Sequence, residues 1–209
     1  DNAIGPIRYV HVNWHVETYA NQKKLSNWKT RIKEGGGTLN SFTSHSLYYL
    51  EWFLGEVKEL QAFLFRRPND ARDGDVLTEI NLKFSWRVVG TVAVSTDSPG
   101  GSGHRIEFIG EEGGLFLYNS TGNHIHGFVI EILDRCQIRK SIPALEQDRD
   151  LSAGMDTRIG VVRPLFQRFG DWITDHKPQK PDFEEGLRIQ RLLEMVRASD
   201  AAGGVWMKI

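Results

Sequence analysis

The chain has 209 residues, of which 40% are hydrophobic and 25% are charged, which is the composition of an ordinary folded domain with a buried core. A net charge of −1 without long runs of lysine or arginine argues against nucleic-acid binding, and no apolar run reaches the roughly 20 residues of a membrane helix. Cys136 is the only cysteine, which excludes a disulfide framework and fits a reducing, cytoplasmic setting.

The first predicted element is a strand within residues 4–16, where apolar and polar side chains alternate. Residues 21–33 are polar with a few apolar side chains at helical spacing, which indicates a short helix or an irregular cover. Three glycines at positions 35–37 follow. Because glycine has no Cβ, this cluster allows a tight turn or a close approach of the backbone to another group.

The segment after the glycines has the spacing of an amphipathic helix that ends at Gly55. His45 shares one face of this helix with Ser41 and Tyr48. A histidine on a rigid helix beside a flexible glycine segment suits an acid–base role in a cleft, and the same pattern also fits an ordinary packed histidine. The opposite, apolar face is predicted to contain Leu39, Phe42, Ser46, Tyr49, Leu50 and Phe53.

Strands dominate the middle of the chain. The link between the second and third strands after the helix is very short, which requires an antiparallel pair. The predicted strands cover residues 57–65, 76–86 and 88–95, the segments HRIEFIG and LFLYN, residues 125–133 and residues 205–209.

Two helices are predicted near the end of the chain. Residues 161–174 form an amphipathic pattern, and Asp182 with Glu185 three residues later has the form of a capping box that starts the last helix. The polar, weakly patterned residues 141–159 before them predict a mobile or substrate-facing loop.

These elements predict an α+β fold: one domain over residues 1–209, with a large, mostly antiparallel sheet and helices packed on one face. Trp86, Val88, Phe108 and Phe116 make both faces of the sheet look apolar. We therefore expect the uncovered face to form the interface of a homo-oligomer.

The segments GGGTLNSFTSHSLYYLEWFLGEV, HRIEFIGEEGGLFLY and KPDFEEGLRIQRLLEMVRASDAAGGVWMKI resemble the C-terminal domain of the Gfo/Idh/MocA oxidoreductases, and the resemblance covers nearly the whole chain. It implies a substrate domain for a sugar, polyol or sugar derivative, joined in the whole protein to an N-terminal Rossmann domain that binds NAD or NADP. No G-x-G-x-x-G follows a strand in these residues. We therefore expect this chain alone neither to bind a dinucleotide tightly nor to transfer a hydride.

The resemblance also assigns site residues. The family motif has a glycine cluster, an aspartate four residues before a histidine, and a second aspartate three residues after it. Here Ser41 and Tyr48 stand at the aspartate positions, so proton transfer is assigned to His45, with Ser41 and Tyr48 placing the substrate or the ring. Without a carboxylate neighbour, the pKa of His45 should be less elevated. Gly36 and Gly37 are assigned to the cofactor.

Three further residues are candidate substrate contacts. Trp14 ends the first strand where a pocket can form, His104 follows a glycine-rich turn, and Arg158 suits a carboxylate or phosphate on a sugar derivative. Packing is the alternative for Trp14, and pairing with Asp156 is one alternative for Arg158. His124 and His126 supply two imidazoles without an evident third ligand, so no metal site is predicted.

Two other functions stay open at this point. A non-catalytic family member would bind a dinucleotide or a sugar and signal through protein contacts, and the loss of both aspartates favours this alternative. The third possibility is a structural domain whose sheet builds an oligomer.

Overall fold

The computed structural model describes residues 3–121, 126–143 and 158–209. A π-helical turn at Leu39–Thr43 and 3₁₀ turns at Ile32–Glu34 and Ser85–Arg87 join the longer elements. In chain order these elements are β1 (Ile7–His15), α1 (Tyr19–Gln22), α2 (Ser44–Leu54), β2 (Val57–Phe65), β3 (Leu77–Phe84), β4 (Val89–Ser95), β5 (Gly103–Gly110), β6 (Gly113–Asn119), β7 (Val129–Asp134), β8 (Arg139–Ile142), α3 (Arg158–Asp175), α4 (Phe183–Ala201) and β9 (Met207–Lys208).

One open sheet of nine strands organises the described residues, in the order β8-β7-β6-β5-β1-β4-β3-β2-β9. Neighbouring strands run antiparallel except β1 and β4, which are parallel with Val12 opposite Val92. A parallel pair needs a long crossover, and the chain from α1 to β3 provides it. The predicted α+β fold with a large, mostly antiparallel sheet is confirmed, as is the antiparallel pairing of β3 with β4.

The core lies between one face of the sheet and helices α2 and α4. Alternate residues of the central strands point towards these helices, so each strand buries one face. Burying a leucine or valine completely contributes about 1.5–3 kcal/mol. The largest side chains that are buried almost completely are Leu39, Leu47, Leu50, Leu60, Leu82, Leu192, Leu193, Val10, Val12, Val57, Val92 and Val94.

A bidentate ion pair ties α2, α4 and β2 together. The Arg188 guanidinium donates from Nε and Nη2 to the two carboxylate oxygens of Glu51, each at 2.7 Å. The same carboxylate accepts a hydrogen bond from the Val57 amide at 2.8 Å. Because both ends of this pair are partly shielded from water, it orients the helices more firmly than a fully exposed pair would.

The last helix begins as predicted. Asp182 accepts hydrogen bonds from the amides of Glu184 and Glu185, and the Glu185 carboxylate accepts one from the Asp182 amide, which confirms the capping box. None of the helices in the described ranges is both long and apolar enough to cross a membrane.

The helix predicted to start at Leu39 is not one regular α-helix. Leu39–Thr43 form a π-helical turn, and the α-helix begins only at Ser44. Such a turn holds an extra residue, so side chains beyond it are rotated relative to the 3.6-residue spacing. Within α2 the buried residues are Ser46, Leu47 and Leu50, so Phe53, predicted on the apolar face, is 57% exposed, whereas Leu47 is fully buried. The end at Gly55, with φ of 77°, is confirmed.

The prediction that both sheet faces are apolar was wrong in part. Trp86 lies in the β3–β4 turn rather than in a strand: it and Arg87 both have φ of 62°, and Trp86 is 92% exposed. Val88 and Phe108 belong to the core on the helix side. Of the four residues, Phe116 alone is left on the open face, paired with Glu107 and Glu131.

The polar loop predicted over residues 141–159 is shorter at both ends. Ser141 lies in β8, a strand that the pattern did not predict, and Arg158 is the first residue of α3. Residues 144–157 lie outside the described part of the chain.

The helix-side core predicts a contrast between two leucines of α4. Leu192 has no exposed surface, whereas Leu187 is 54% exposed. Leu192→Ala should lower the free energy of unfolding by about 2–5 kcal/mol, and Leu187→Ala by less than about 0.5 kcal/mol, in guanidinium titrations. Equal losses for the two variants would contradict the packing described here.

Candidate functional site

His45 faces the largest described cavity of the chain, a cleft of about 820 Å³ that we call the His45 cleft. One wall comes from the π-helical turn and the start of α2. The other wall comes from α1 and the irregular segment after it. Side chains on the first wall include Asn40, Ser41, Phe42 and His45, and those on the second include Tyr19, Asn21, Leu25, Trp28 and Lys29.

The glycine segment brings these two walls together. A Cβ at Gly36 would lie 2.5 Å from the carbonyl oxygen of Trp28, so only glycine lets the two stretches of backbone touch. The amides of Gly36 and Gly37 donate to the carbonyls of Arg31 and Lys29, each at 2.9 Å. The segment that leads into α2 is therefore fixed to the wall that carries Trp28.

Partial desolvation favours the neutral form of His45. Its ring is exposed in this chain, but it sits in a concave surface whose walls remove part of its water. This desolvation lowers the pKa of His45 from its ordinary value. No hydrogen-bonding partner of its ring nitrogens occurs among the described residues. The sequence predicted only that the pKa of His45 is less elevated than it would be beside a carboxylate. In the structure, desolvation lowers this pKa below its ordinary value, and the neutral ring can accept a proton.

Ser41 and Tyr48 lie on different sides of α2. Ser41 lines the His45 cleft, and its hydroxyl donates to the carbonyl of Gly37 at 2.6 Å, so its single proton is not offered to His45. Tyr48 instead lines a smaller cavity of about 180 Å³ between α2 and α4, with Glu51, Trp52 and Arg188. The structure thus brings Ser41 and His45 together in one cleft and places Tyr48, three residues further along α2, in the cavity next to α4.

Trp14 and His104 form a packed pair behind the cleft. Trp14 is 8% exposed, and its ring stacks on His104 with centroids 4.1 Å apart. His104 Nε2 lies 3.1 Å from the Tyr49 hydroxyl. Burial raises the pKa of this hydroxyl well above its ordinary value. Trp14 also meets Phe42 edge to face at 4.7 Å. Only Phe42 of these residues lines the His45 cleft. Trp14 packs against Phe42, and His104 packs against Trp14, so both influence the cleft indirectly.

The glycines do not offer a cradle for the phosphates of a dinucleotide. Such a cradle needs free amides and open space above the backbone. At Gly37 a Cβ would lie 2.2 Å from Asp75 Oδ1, and the amides of Gly36 and Gly37 already have acceptors. Gly35 is different: no atom lies within 4 Å of its Cβ position, and it lines the His45 cleft.

Some candidate residues fall outside the described structure. These are the side chain of Arg158, together with Asp156 and His124. Within the described ranges, no group of three histidine, cysteine, aspartate or glutamate side chains is arranged to hold a metal ion.

Sequence reasoning missed the second wall of the cleft. Tyr19 and Trp28 are 69% and 59% exposed there, and the Lys29 ammonium lies 5.4 Å from the centre of the Trp28 ring. The only signal in the sequence was large aromatic side chains in a polar, glycine-flanked segment. That signal does not say which cavity they line, since the long-range contact through Gly36 decides it.

Comparison with known proteins identifies the kind of domain. The sequence profile described as "Oxidoreductase family, C-terminal alpha/beta domain", that of the Gfo/Idh/MocA proteins, matches residues 1–209. An uncharacterized oxidoreductase of Synechocystis sp. is 30% identical over 210 aligned residues, which cover 93% of this chain and 56% of that protein. The chain thus spans just over half the length of this relative.

Solved structures share the fold. An aldose-aldose oxidoreductase of Caulobacter crescentus, complexed with glycerol, matches with a TM-score of 0.80 at 15% identity, over 100% of this chain and 57% of its own. An inositol dehydrogenase homolog of Azotobacter vinelandii, complexed with NAD+, matches with a TM-score of 0.78 at 20% identity, over 100% and 59%.

The lowered pKa of His45 is testable by NMR titration with labelled histidine, the signal being assigned by its loss in His45→Gln. We expect a pKa below the roughly 6.5 of an unperturbed imidazole. Since the folded state then binds fewer protons than the unfolded state, His45 destabilises the fold below about pH 6.5 and not above it. His45→Gln should therefore reduce the loss of stability on acidification. A measured pKa above 6.5 would contradict the desolvated site.

Proposed function

Because the chain belongs to the Gfo/Idh/MocA oxidoreductase family, as its C-terminal alpha/beta domain, we propose that it is the substrate-binding part of an NAD(P)-dependent oxidoreductase. The proposed substrate is a sugar, a polyol or a sugar derivative. NAD or NADP, which would exchange the hydride, is held by a Rossmann domain outside these residues, in line with the 56% of the Synechocystis relative that the chain spans. The chain alone then neither binds the dinucleotide tightly nor turns over substrate.

The observation that carries the proposal is the position of His45. It lies on the first turn of α2, faces a cleft of about 820 Å³ and has a lowered pKa. A neutral imidazole accepts the proton of a substrate hydroxyl when the carbinol is oxidised, and the imidazolium returns it when the carbonyl is reduced. Ser41, beside it in the cleft, keeps acceptor lone pairs that can receive a hydrogen bond from the substrate.

The walls of the cleft suit a polyhydroxylated substrate. The rings of Trp28 and Tyr19 offer apolar faces for C–H groups, and the Lys29 ammonium offers hydrogen bonds to hydroxyls. The glycerol complex of the Caulobacter protein and the inositol dehydrogenase homolog support this substrate class by likeness of fold. Trp14 and His104 act in this proposal by holding Phe42, and Tyr48 has no part in proton transfer.

The second candidate is a non-catalytic member that senses a sugar or dinucleotide. The observation that favours it is that, within the described ranges, no carboxylate influences the pKa of His45, although Glu17 lines the same cleft. A catalytic imidazole is commonly oriented by such a partner, and here the Ser41 proton goes to the Gly37 carbonyl.

Turnover by the full-length protein distinguishes the two candidates. With a panel of polyols and aldoses and either NAD or NADP, we expect at least one pair to react, and His45→Ala to lower kcat/KM at least tenfold because the proton acceptor is lost. His176→Ala, at an exposed position after α3, should stay within about twofold, and so should Tyr48→Phe. Binding of a sugar without turnover would favour the sensor. An unchanged kcat/KM in His45→Ala would show that His45 has no part in the mechanism.

The open face of the sheet is the proposed interface of a homo-oligomer. Helices α2 and α4 cover the other face, so the outward residues of the central strands keep partial exposure. Phe63 and Phe65 on β2 are 39% and 46% exposed there, while a hydrogen-bonded group of Tyr9, His11 and Thr91 occupies the middle. Apolar rings around a polar, internally satisfied centre suit a contact between two copies of one face.

Sedimentation velocity at micromolar concentration tests this interface. We expect the wild-type protein to sediment as a dimer or larger oligomer, and Phe65→Asp to shift it towards the monomer because a charge is placed at the contact. Phe183→Asp, at a 90% exposed position on α4, should not change the distribution. A monomeric wild-type protein would sink the proposal.

A further inference from the structure

Asp75 is a buried carboxylate at the base of the segment that carries His45. It lies just before β3 and is only 6% exposed. A buried carboxylate is costly unless hydrogen bonds compensate for the lost water. Burial raises the pKa of Asp75, and the hydrogen bond from the Leu39 amide opposes this shift. The burial of this carboxylate is therefore tolerated only because other groups donate hydrogen bonds to it.

The shortest hydrogen bonds of Asp75 go to Thr38 and Leu39 at the start of the π-helical turn, and its Oδ2 also accepts a longer one from the Thr78 hydroxyl at 3.4 Å. Its Oδ2 accepts a hydrogen bond from the Leu39 amide at 2.7 Å. Its main-chain carbonyl accepts two more, from the Thr38 amide at 2.9 Å and from the Thr38 hydroxyl at 3.1 Å. One residue, 36 positions along the chain from Leu39, thus holds this helical segment through both its side chain and its backbone.

The local sequence does not provide a cap of its own. The first amides of a helix have no acceptor within the helix, and a serine, threonine or aspartate at the preceding position normally supplies one. Thr38 is at that position, yet its side chain makes no capping hydrogen bond and turns to the Asp75 carbonyl instead. The Asp75 carboxylate takes the place of the missing cap, where a negative charge is also favoured by the helix dipole.

Gly37 makes room for this contact. A Cβ there would lie 2.2 Å from Asp75 Oδ1, and its φ of 106° disfavours any other residue. From Thr38 the contact continues towards the cleft: its hydroxyl lies 2.7 Å from that of Thr96, which accepts a hydrogen bond from the Asn21 side chain at 3.1 Å. Thr96 and Asn21 both line the His45 cleft.

We propose that Asp75 is a positioning residue of the His45 site, a remote cap that sets the start of the π-helical turn and thereby the direction in which His45 enters the cleft. The consequence for catalysis rests on the proposed function, whereas the capping itself does not. Misplacing a catalytic group by about 1 Å costs on the order of 100-fold in rate, so a cap at this point influences activity without touching substrate.

Hydrogen–deuterium exchange of the full-length protein tests the cap directly. In Asp75→Ala we expect amides of residues 39–43 to exchange at least tenfold faster, while those of β2 and β3 keep their wild-type rates. Asp75→Asn, which keeps the shape and one acceptor oxygen, should show a smaller effect. Asp73→Asn is the matched control, because Asp73 is exposed in the same loop and its carboxylate binds the Ile32 amide at 2.8 Å rather than the π-helical turn.

Kinetics test the consequence for the site. We expect kcat/KM to fall about 10- to 100-fold in Asp75→Ala and partly to recover in Asp75→Asn, with KM and the acid limb of the pH profile both displaced. A role limited to stability would lower only the amount of active protein and leave KM and the pH profile unchanged. Asp73→Asn should stay within about twofold.

The outcomes separate this inference from the proposed function. Faster local exchange in Asp75→Ala, together with a kcat/KM in His45→Ala that equals the wild-type value, would refute the catalytic role of His45 and leave the cap supported. Wild-type exchange over residues 39–43, or equal acceleration throughout the sheet, would overturn the inference. If Asp75→Ala does not fold, the same comparison between Asp75→Asn and Asp73→Asn decides it.

Discussion

The site depends on a place where three stretches of backbone meet without side chains between them. Residues 28–31, 35–38 and 74–75 approach so closely that a Cβ at Gly36 or Gly74 would lie 2.5 or 2.9 Å from a carbonyl oxygen of the neighbouring stretch. Backbone hydrogen bonds join them, from Gly37 to Lys29, from Gly74 to Thr30 and from Thr38 to Asp75. Both walls of the His45 cleft therefore share one anchor, and the distance between them is set by backbone packing rather than by the side chains that face the substrate.

Much of the sheet could be predicted from the sequence, because the alternation of side chains along a strand is a local property. The predicted bounds of β2 agree with the structure, and those of β3 and β4 differ by one or two residues. The parallel pairing of β1 with β4 has no local signal. It depends on the crossover between them, and a strand pattern does not record which neighbour a strand will find.

The helix beside the glycines shows where local reasoning fails. Hydrophobic spacing assumes 3.6 residues per turn, and the π-helical turn at Leu39–Thr43 breaks that assumption. Ser41 lies within the turn and His45 two residues after it, and both line the cleft. Tyr48 was predicted on the same face but lies against α4, because packing between α2 and α4 has no signal in the local spacing. Hydrophobic spacing also gives no sign that Asp75 replaces a local cap, because Asp75 and Leu39 are 36 positions apart in the sequence and meet only in the folded chain.

The position of β1 has a consequence for how the domain folds. The first strand of the chain lies in the middle of the sheet, and the residues that pair with it on β4 and β5 are about 80 to 103 positions away in the sequence. Closing so large a loop costs entropy before any pairing compensates for it, so folds of this kind form slowly. During synthesis, residues 7–15 must wait for residues 89–110 to leave the ribosome. Until then this strand, with Val10, Val12 and Trp14 on one side, is an exposed apolar segment that chaperones would be expected to bind.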